Sequence, residues 1–301
     1  MHESMKSPFE TRAKIIADTV SAQGVRITTF EVEAPRYLLA EINTHRVIAR
    51  SAASSRAIPI EKRIRMVEDH PYVPAVFGRN KPGMQSDEAL DDTEAYQANA
   101  FWMQARDSAV ESAKRLKAVG VHKQQANRIL EPFCGYTGVM TGTEWDNFFK
   151  LRAHAEADPG FEILATKMRD LYETSTPREN GVHLPYVDDV TLDELDGCVE
   201  SAMQVASARC ARVSYKTFDG KTSTLDKDVE LCERLISSGH FSPFDHVGYA
   251  DTTETRTDGT YWSNPRSHRH FYGWIPFRVY IERSQGIVCA RDSFAPIESY
   301  R

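Results

Sequence analysis

The chain has 301 residues, 41% apolar and 27% charged, with a formal net charge of −6, enough for one large domain or two smaller ones around a real core. The mild acidity speaks against a general nucleic-acid binder, and no apolar run approaches the ~20 residues of a membrane span or the centre of a signal peptide, so the expected location is cytoplasmic. Cys134, Cys198, Cys210, Cys232 and Cys289 stand apart without a C-x-x-C pair, which reads as reduced structural thiols rather than a disulfide framework or a zinc site.

Along the chain, residues 8–22, "PFETRAKIIADTVSA", read as a helix, and the alternation of "VRITTFEVEA" (25–34) reads as a strand. Pro35 opens a helix, "RYLLAEINTHRVIA", with Leu38, Leu39, Ile42 and Ile48 on its apolar side. A short helix is expected over 59–68, then a loop over 70–86 punctuated by proline and glycine. A long helix over 87–118 carries Phe101, Trp102, Ala105, Ala109, Ala113 and Leu116 at core spacing. "NRILEPF" and "TEWDNFFKLRAHAEADPGFEIL" read as helical, with a break near Pro132–Gly138. Residues 177–189 read as a linker. Thr191 and Glu194 suggest a capping box, and "TLDKDVELCERLISS" (224–238) an amphipathic helix that stops at Gly239. Residues 239–246 read as a loop, and "VGYADTTETR" and "PFRVYIER" (276–283) as strands with a turn at Asp258–Gly259 between them. The fold class is α+β or mixed α/β, with helices dominating and no tandem repeat.

One stretch gathers cations. "EINTHRVIARSAASSRAIP" (41–59) holds His45, Arg46, Arg50 and Arg56 beside Ser51, Ser54 and Ser55. Helical spacing places Glu41 and His45 on one face. The serines and loop amides, with Arg56 as a bidentate partner, suit a phosphomonoester; a solvated basic loop is the plain alternative. The usual glycine-rich phosphate loops, the G-x-S-x-G elbow and H-E-x-x-H are absent. His268 and His270 in "SHRHF" have a spacing a metal could use, but without adjacent carboxylates or thiols no metal site is expected.

"THRVIARSAASSR" resembles the signature of the flavin-dependent thymidylate synthases, R-H-R followed by seven residues and a serine. His45, Arg46 and Ser54 keep its register, and Arg56 falls where the family closes the motif with arginine. "NRILEP" (127–132) and "NFFKLRAHAEADPGFEI" (147–163) are similar to two further family blocks. "CARVSY" (210–215) and "SGHFSPFDHVGYA" (238–250) resemble blocks that the family places before R-H-R, yet here they follow the rest. The order looks like a circular permutation of one catalytic domain over 1–301. Residues 22–175 resemble the central and C-terminal blocks, 176–200 form a linker, 201–250 resemble the N-terminal block and 251–301 are an extension.

The resemblance implies a helix-rich fold of the thymidylate synthase-complementing type, with a central, mostly antiparallel sheet and a homotetrameric assembly. It implies methylation of deoxyuridylate at C5, with FAD as cofactor and NADPH and methylenetetrahydrofolate as co-substrates. Ser54 and Arg152 would be catalytic, without Ser54 acting as a covalent nucleophile. Glu41, Ser54, Ser55, Arg56, Arg128 and Arg152 would bind the nucleotide monophosphate. His45, Arg46, Asn147, Ser214, His240, Ser242 and Asp245 would contact FAD. No membrane, nucleic acid or metal is implied. Departures gather in the nucleotide pocket: Thr44 for the first arginine, Glu41 for glutamine, Ala52 for a polar residue, Ala57 for an aromatic, and Asp158 after Ala157 in the third block. Glutamate only accepts hydrogen bonds and suits the amine of cytosine better than the O4 of uracil. The alternatives are therefore the same chemistry on deoxycytidylate, a hydroxymethyl product, or a non-catalytic flavin- or nucleotide-binding protein.

Overall fold

The computed structural model describes residues 9–83, 88–213 and 223–287. β1 (Arg12–Val20) and β2 (Arg26–Pro35) form an antiparallel hairpin. Gly24 turns it with a φ of 79°, a left-handed value that glycine adopts without steric cost. The helix expected over 8–22 is thus a strand, paired to β2 along its length. A register shift between Ile15 and Ala17 lets Ile15 and Ile16 pack into different clusters, which blurs the strand's alternation. The strand expected over 25–34 is present as β2.

The helix expected after Pro35 is shorter than its apolar pattern. A 3-10 turn (Arg36–Leu38) leads into α1 (Leu39–Ile42), and β3 (Ala49–Ala52) follows. The Thr44 hydroxyl donates to the Glu41 carbonyl at 2.7 Å. The Arg50 guanidinium donates to the carbonyls of Asn43, His45 and Ile48 at 3.0, 3.0 and 2.7 Å, and to Asn43 Oδ1 at 2.7 Å. Those carbonyls are taken out of any helical ladder.

α2 (Ile60–Asp69) and α3 (Asp92–Ala118) are the two helices expected here, the second starting at Asp92 after its Asp91 cap, and they pack together. Trp102 serves their core and donates to the Tyr72 carbonyl at 2.9 Å, but Phe101 is 68% exposed rather than buried. After α4 (Lys123–Ala126) and a 3-10 turn (Asn127–Phe133) comes β4 (Gly135–Gly142), where only a break was expected. Glycine hides this strand. A Cβ on Gly138 would stand 2.7 Å from the Tyr136 ring and 3.1 Å from the Ser51 carbonyl. α5 (Asp146–Arg152) and α6 (Pro159–Thr174) cover one sheet face with Phe148, Phe149, Phe161 and Leu164.

The expected linker contains β5 (Arg178–Glu179) and β6 (Val182–His183). α7 (Asp189–Glu194) is capped by Asp188, which accepts the Thr191 amide at 2.9 Å, so Thr191 lies inside the helix instead of opening it. α8 (Val199–Arg212) is buried along most of its length and packs on α9 (Leu225–Ser237), which ends as expected before Gly239. Arg209 and Arg212 donate to the fully buried Asp228 of α9 at 3.0 and 2.8 Å. A 3-10 turn (Ser242–His246) occupies the expected loop. β7 (Gly248–Ala250), the hairpin β8 (Thr253–Arg256) and β9 (Gly259–Trp262), and β10 (Trp274–Pro276) follow. The second expected strand is α10 (Phe277–Ser284), which buries Phe277 and Ile281 one turn apart and pairs Arg278 with Glu282 at 2.7 Å.

The strands form a five-stranded sheet, β3-β4-β2-β1-β5, antiparallel except at β1/β5. A second sheet runs β10-β7-β6. This is the helix-rich, mostly antiparallel α+β class read from the sequence. Among the described residues no helix is long and apolar enough to cross a membrane.

Candidate functional site

The expected site residues gather into two sets at the β3 end of the sheet, with a third group on the segment packed against β3. In the first set, Arg152 at the end of α5 donates from Nη1 to Glu41 Oε2 at 2.7 Å and from Nε to His45 Nε2 at 3.1 Å. Its guanidinium carbon lies 4.7 Å from the Phe161 ring centroid, and His45 meets Phe148 edge-on. Burial, then the charges of Arg152 and Arg50, lower the His45 pKa. A neutral His45 that accepts at Nε2 carries its proton on Nδ1. Arg152 Nη2 has no protein partner among the described residues.

In the second set, Glu131 Oε1 accepts from Ser55 Oγ at 2.5 Å, Arg128 Nη1 at 3.0 Å and Arg36 Nε at 3.1 Å. Burial alone would raise the Glu131 pKa, but the Ser55 hydrogen bond and the Arg36 and Arg128 charges hold it below the usual carboxylate value. Ser54 Oγ accepts the Arg56 amide at 3.3 Å, while the Arg56 side chain is exposed and unpartnered among the described residues. Arg36 and Glu131 were not read from the sequence; their signal was a charge in each of two apolar segments.

The expected flavin contacts are more scattered. Arg46, Asn147, His240 and Ser242 are exposed, without side-chain partners among the described residues. Asp245 accepts from Arg278 at 3.0 Å, and burial against that charge lifts its pKa to about 6. Ser214 lies outside the described residues. Arg50, counted with the basic cluster, instead staples the 43–48 turn. The Ser242–His246 turn packs on β3, so the "SGHFSPFDH" block reaches the element that follows "THRVIA". Beside it lies a cleft of about 150 Å³, walled by Leu39, Ile42, Tyr136 and Met140, with Asn43, Arg50 and Ser51 among its polar lining.

An apolar cleft, together with Arg46, Arg56 and Arg152 Nη2 left without protein partners among the described residues, is the chemistry of a site for a planar anionic ligand. The profile of the thymidylate synthase complementing protein family matches residues 24–178, and the chain belongs to that family of enzymes. Among solved structures, it is similar to the UMP/dUMP methylase PolB from Streptomyces cacaoi bound with 5-Br UMP, at 17% identity over 54% of this chain and 89% of that one (TM-score 0.45). The same methylase bound with 5-Br dUMP aligns at 16% identity over 54% and 90% (TM-score 0.46). No curated protein matches the chain significantly.

Proposed function

We propose that the chain methylates a pyrimidine nucleotide monophosphate at C5, most simply deoxyuridylate to thymidylate, with FAD bound and NADPH and methylenetetrahydrofolate as co-substrates. The observation that carries this reading is Arg152. It is held by Glu41 and His45 from a separate segment, with one nitrogen that no described residue engages left for a ligand. A fixed guanidinium beside the pyrimidine stabilises negative charge as the ring is activated. Ser54 and Arg56 hold the phosphate; Arg128, tied to Glu131 with Ser55, supports that end.

The residues suit a flavin dinucleotide: Arg46 is a cation without a side-chain partner among the described residues, available to a pyrophosphate, and the cleft beside β3 offers an apolar wall. His45, Arg46, Asn147, His240, Ser242 and Asp245 would hold it. When bound, the flavin supplies the hydride that completes the methyl group. Assembly as a homotetramer belongs to the same proposal.

A second reading, deoxycytidylate as the base, rests on Glu41. Its Oε2 is committed to Arg152, so Oε1 of this half-exposed side chain remains as an acceptor among the described residues. The purified protein is incubated with FAD, NADPH, methylenetetrahydrofolate and either monophosphate, and the products are weighed by mass spectrometry. A methylated deoxyuridylate supports the first reading, and turnover of deoxycytidylate alone replaces it with the second. A colourless protein that takes up no FAD removes both.

A further inference from the structure

Six side chains outside the assigned site form one continuous hydrogen-bonded chain through the sheet. Thr19 Oγ1 meets His183 Nδ1 at 2.8 Å, and His183 Nε2 meets Thr29 Oγ1 at 2.6 Å. Thr29 Oγ1 meets Thr141 Oγ1 at 2.7 Å, Thr141 Oγ1 meets His246 Nδ1 at 2.9 Å, and His246 Nε2 meets Ser51 Oγ at 2.9 Å. Five members are buried; only Ser51, which lines the cleft beside β3, is partly exposed.

The chain has a direction. Burial lowers both imidazole pKa values to about 3, so each ring is neutral and has one N–H and one lone pair. Every hydroxyl also has one hydrogen, so six hydrogens serve five links. A neutral imidazole with two partners must accept from one and donate to the other. If no buried hydroxyl hydrogen is wasted, all links point the same way. Were they to run from Ser51 to Thr19, the Thr19 hydrogen would end in a buried place with no acceptor among the described residues. Running from Thr19 to Ser51, every buried hydrogen is used. The Ser51 hydroxyl, already accepting from His246, has its own hydrogen left for the cleft.

We propose that this relay is a positioning device that holds Ser51 as an outward hydrogen-bond donor, making Ser51 a ligand-binding residue for a ring carbonyl. Such a carbonyl belongs to either a pyrimidine or an isoalloxazine, and the proposal rests on the functional reading above for that ligand class. His246 and His183 set the polarity; they do not touch the ligand.

The test reads the tautomers directly. The full chain is labelled with 15N-histidine, and the His183 and His246 signals are assigned with His183→Gln and His246→Gln. At pH 7 both rings are expected as Nε2–H tautomers with unprotonated Nδ1; Nδ1–H tautomers or imidazolium rings would overturn the relay. Ser51→Ala is then titrated separately with deoxyuridylate and with FAD. One of the two is expected to bind about three- to tenfold more weakly, with recovery in Ser51→Thr. Loss for the nucleotide alone identifies a pyrimidine carbonyl, and loss for FAD alone an isoalloxazine. Unchanged affinity for both overturns the ligand role of Ser51. Wild-type protein that binds neither overturns the functional reading and the carbonyl ligand with it, while the tautomers still decide the relay.

Discussion

Arg152 carries more of the proposed chemistry than any other side chain. Its Nε and Nη1 are spent on His45 and Glu41, which fix the guanidinium plane. Lysine offers a point charge and cannot make both contacts in that geometry. Arg152→Lys is expected to reduce kcat by ~10²–10³-fold, the scale of losing a placed charge-stabilising donor. Thermal unfolding should shift little, because the side chain is partly exposed; a kcat within twofold of wild type would contradict the assignment. The Glu41–His45 pairing was legible from i, i+4 spacing, although the helix that suggested it ends at Ile42. The turn that follows keeps the two residues together. Thr44, which replaces a motif arginine, caps that turn. The Ser51–His246 contact was not legible, because it joins residues 195 positions apart.

At the scale of elements, the sequence misled where local pattern and tertiary pairing disagreed. β1 looked helical because its apolar residues serve two clusters across a bulge. β4 looked like a break because close neighbours demand glycine at 138. α10 looked like a strand because Phe277, Val279 and Ile281 alternate, whereas the helix also buries Glu282 and pairs it with Arg278. We propose that the order of blocks reflects a circular permutation. Residues 24–178 match the family profile, and the later Ser242–His246 turn packs on β3 within the matched region. The exposed turn at Asp196 and Gly197, with φ of 51° and 68°, separates α7 from α8 and offers a cut point. A chain in which residues 198–287 are linked ahead of residue 9 is expected to melt cooperatively and retain turnover. A variant that folds as the parent does but has lost turnover would contradict the permuted reading.

For the molecule as a whole, buried imidazoles set the acid limit. Burial lowers His183 and His246 to about 3 and His270 to about 4, so the unfolded chain, near 6.5, takes up these protons first as pH falls. Their stability contribution is full above ~6.5 and is lost toward the folded values. Asp245, raised to about 6, works the other way: between that value and the ordinary 3.8 the folded state takes the proton first. These three rings, set against Asp245, contribute a loss on the order of 2–3 kcal/mol per pH unit between about pH 6 and 4, and the lowered His45 pKa adds to it in the same direction. Urea midpoints should therefore fall steeply from pH 7 to 5; a flat profile would show that these rings are not held neutral.

The most direct measurement of the central claim is the mass of deoxyuridylate after incubation with the FAD-loaded protein, NADPH and methylenetetrahydrofolate. The expected result is a product heavier by one CH2, a methyl group standing where the C5 hydrogen was, whose formation requires all three additions. Recovery of unchanged deoxyuridylate from protein that has bound both FAD and the nucleotide would contradict the account.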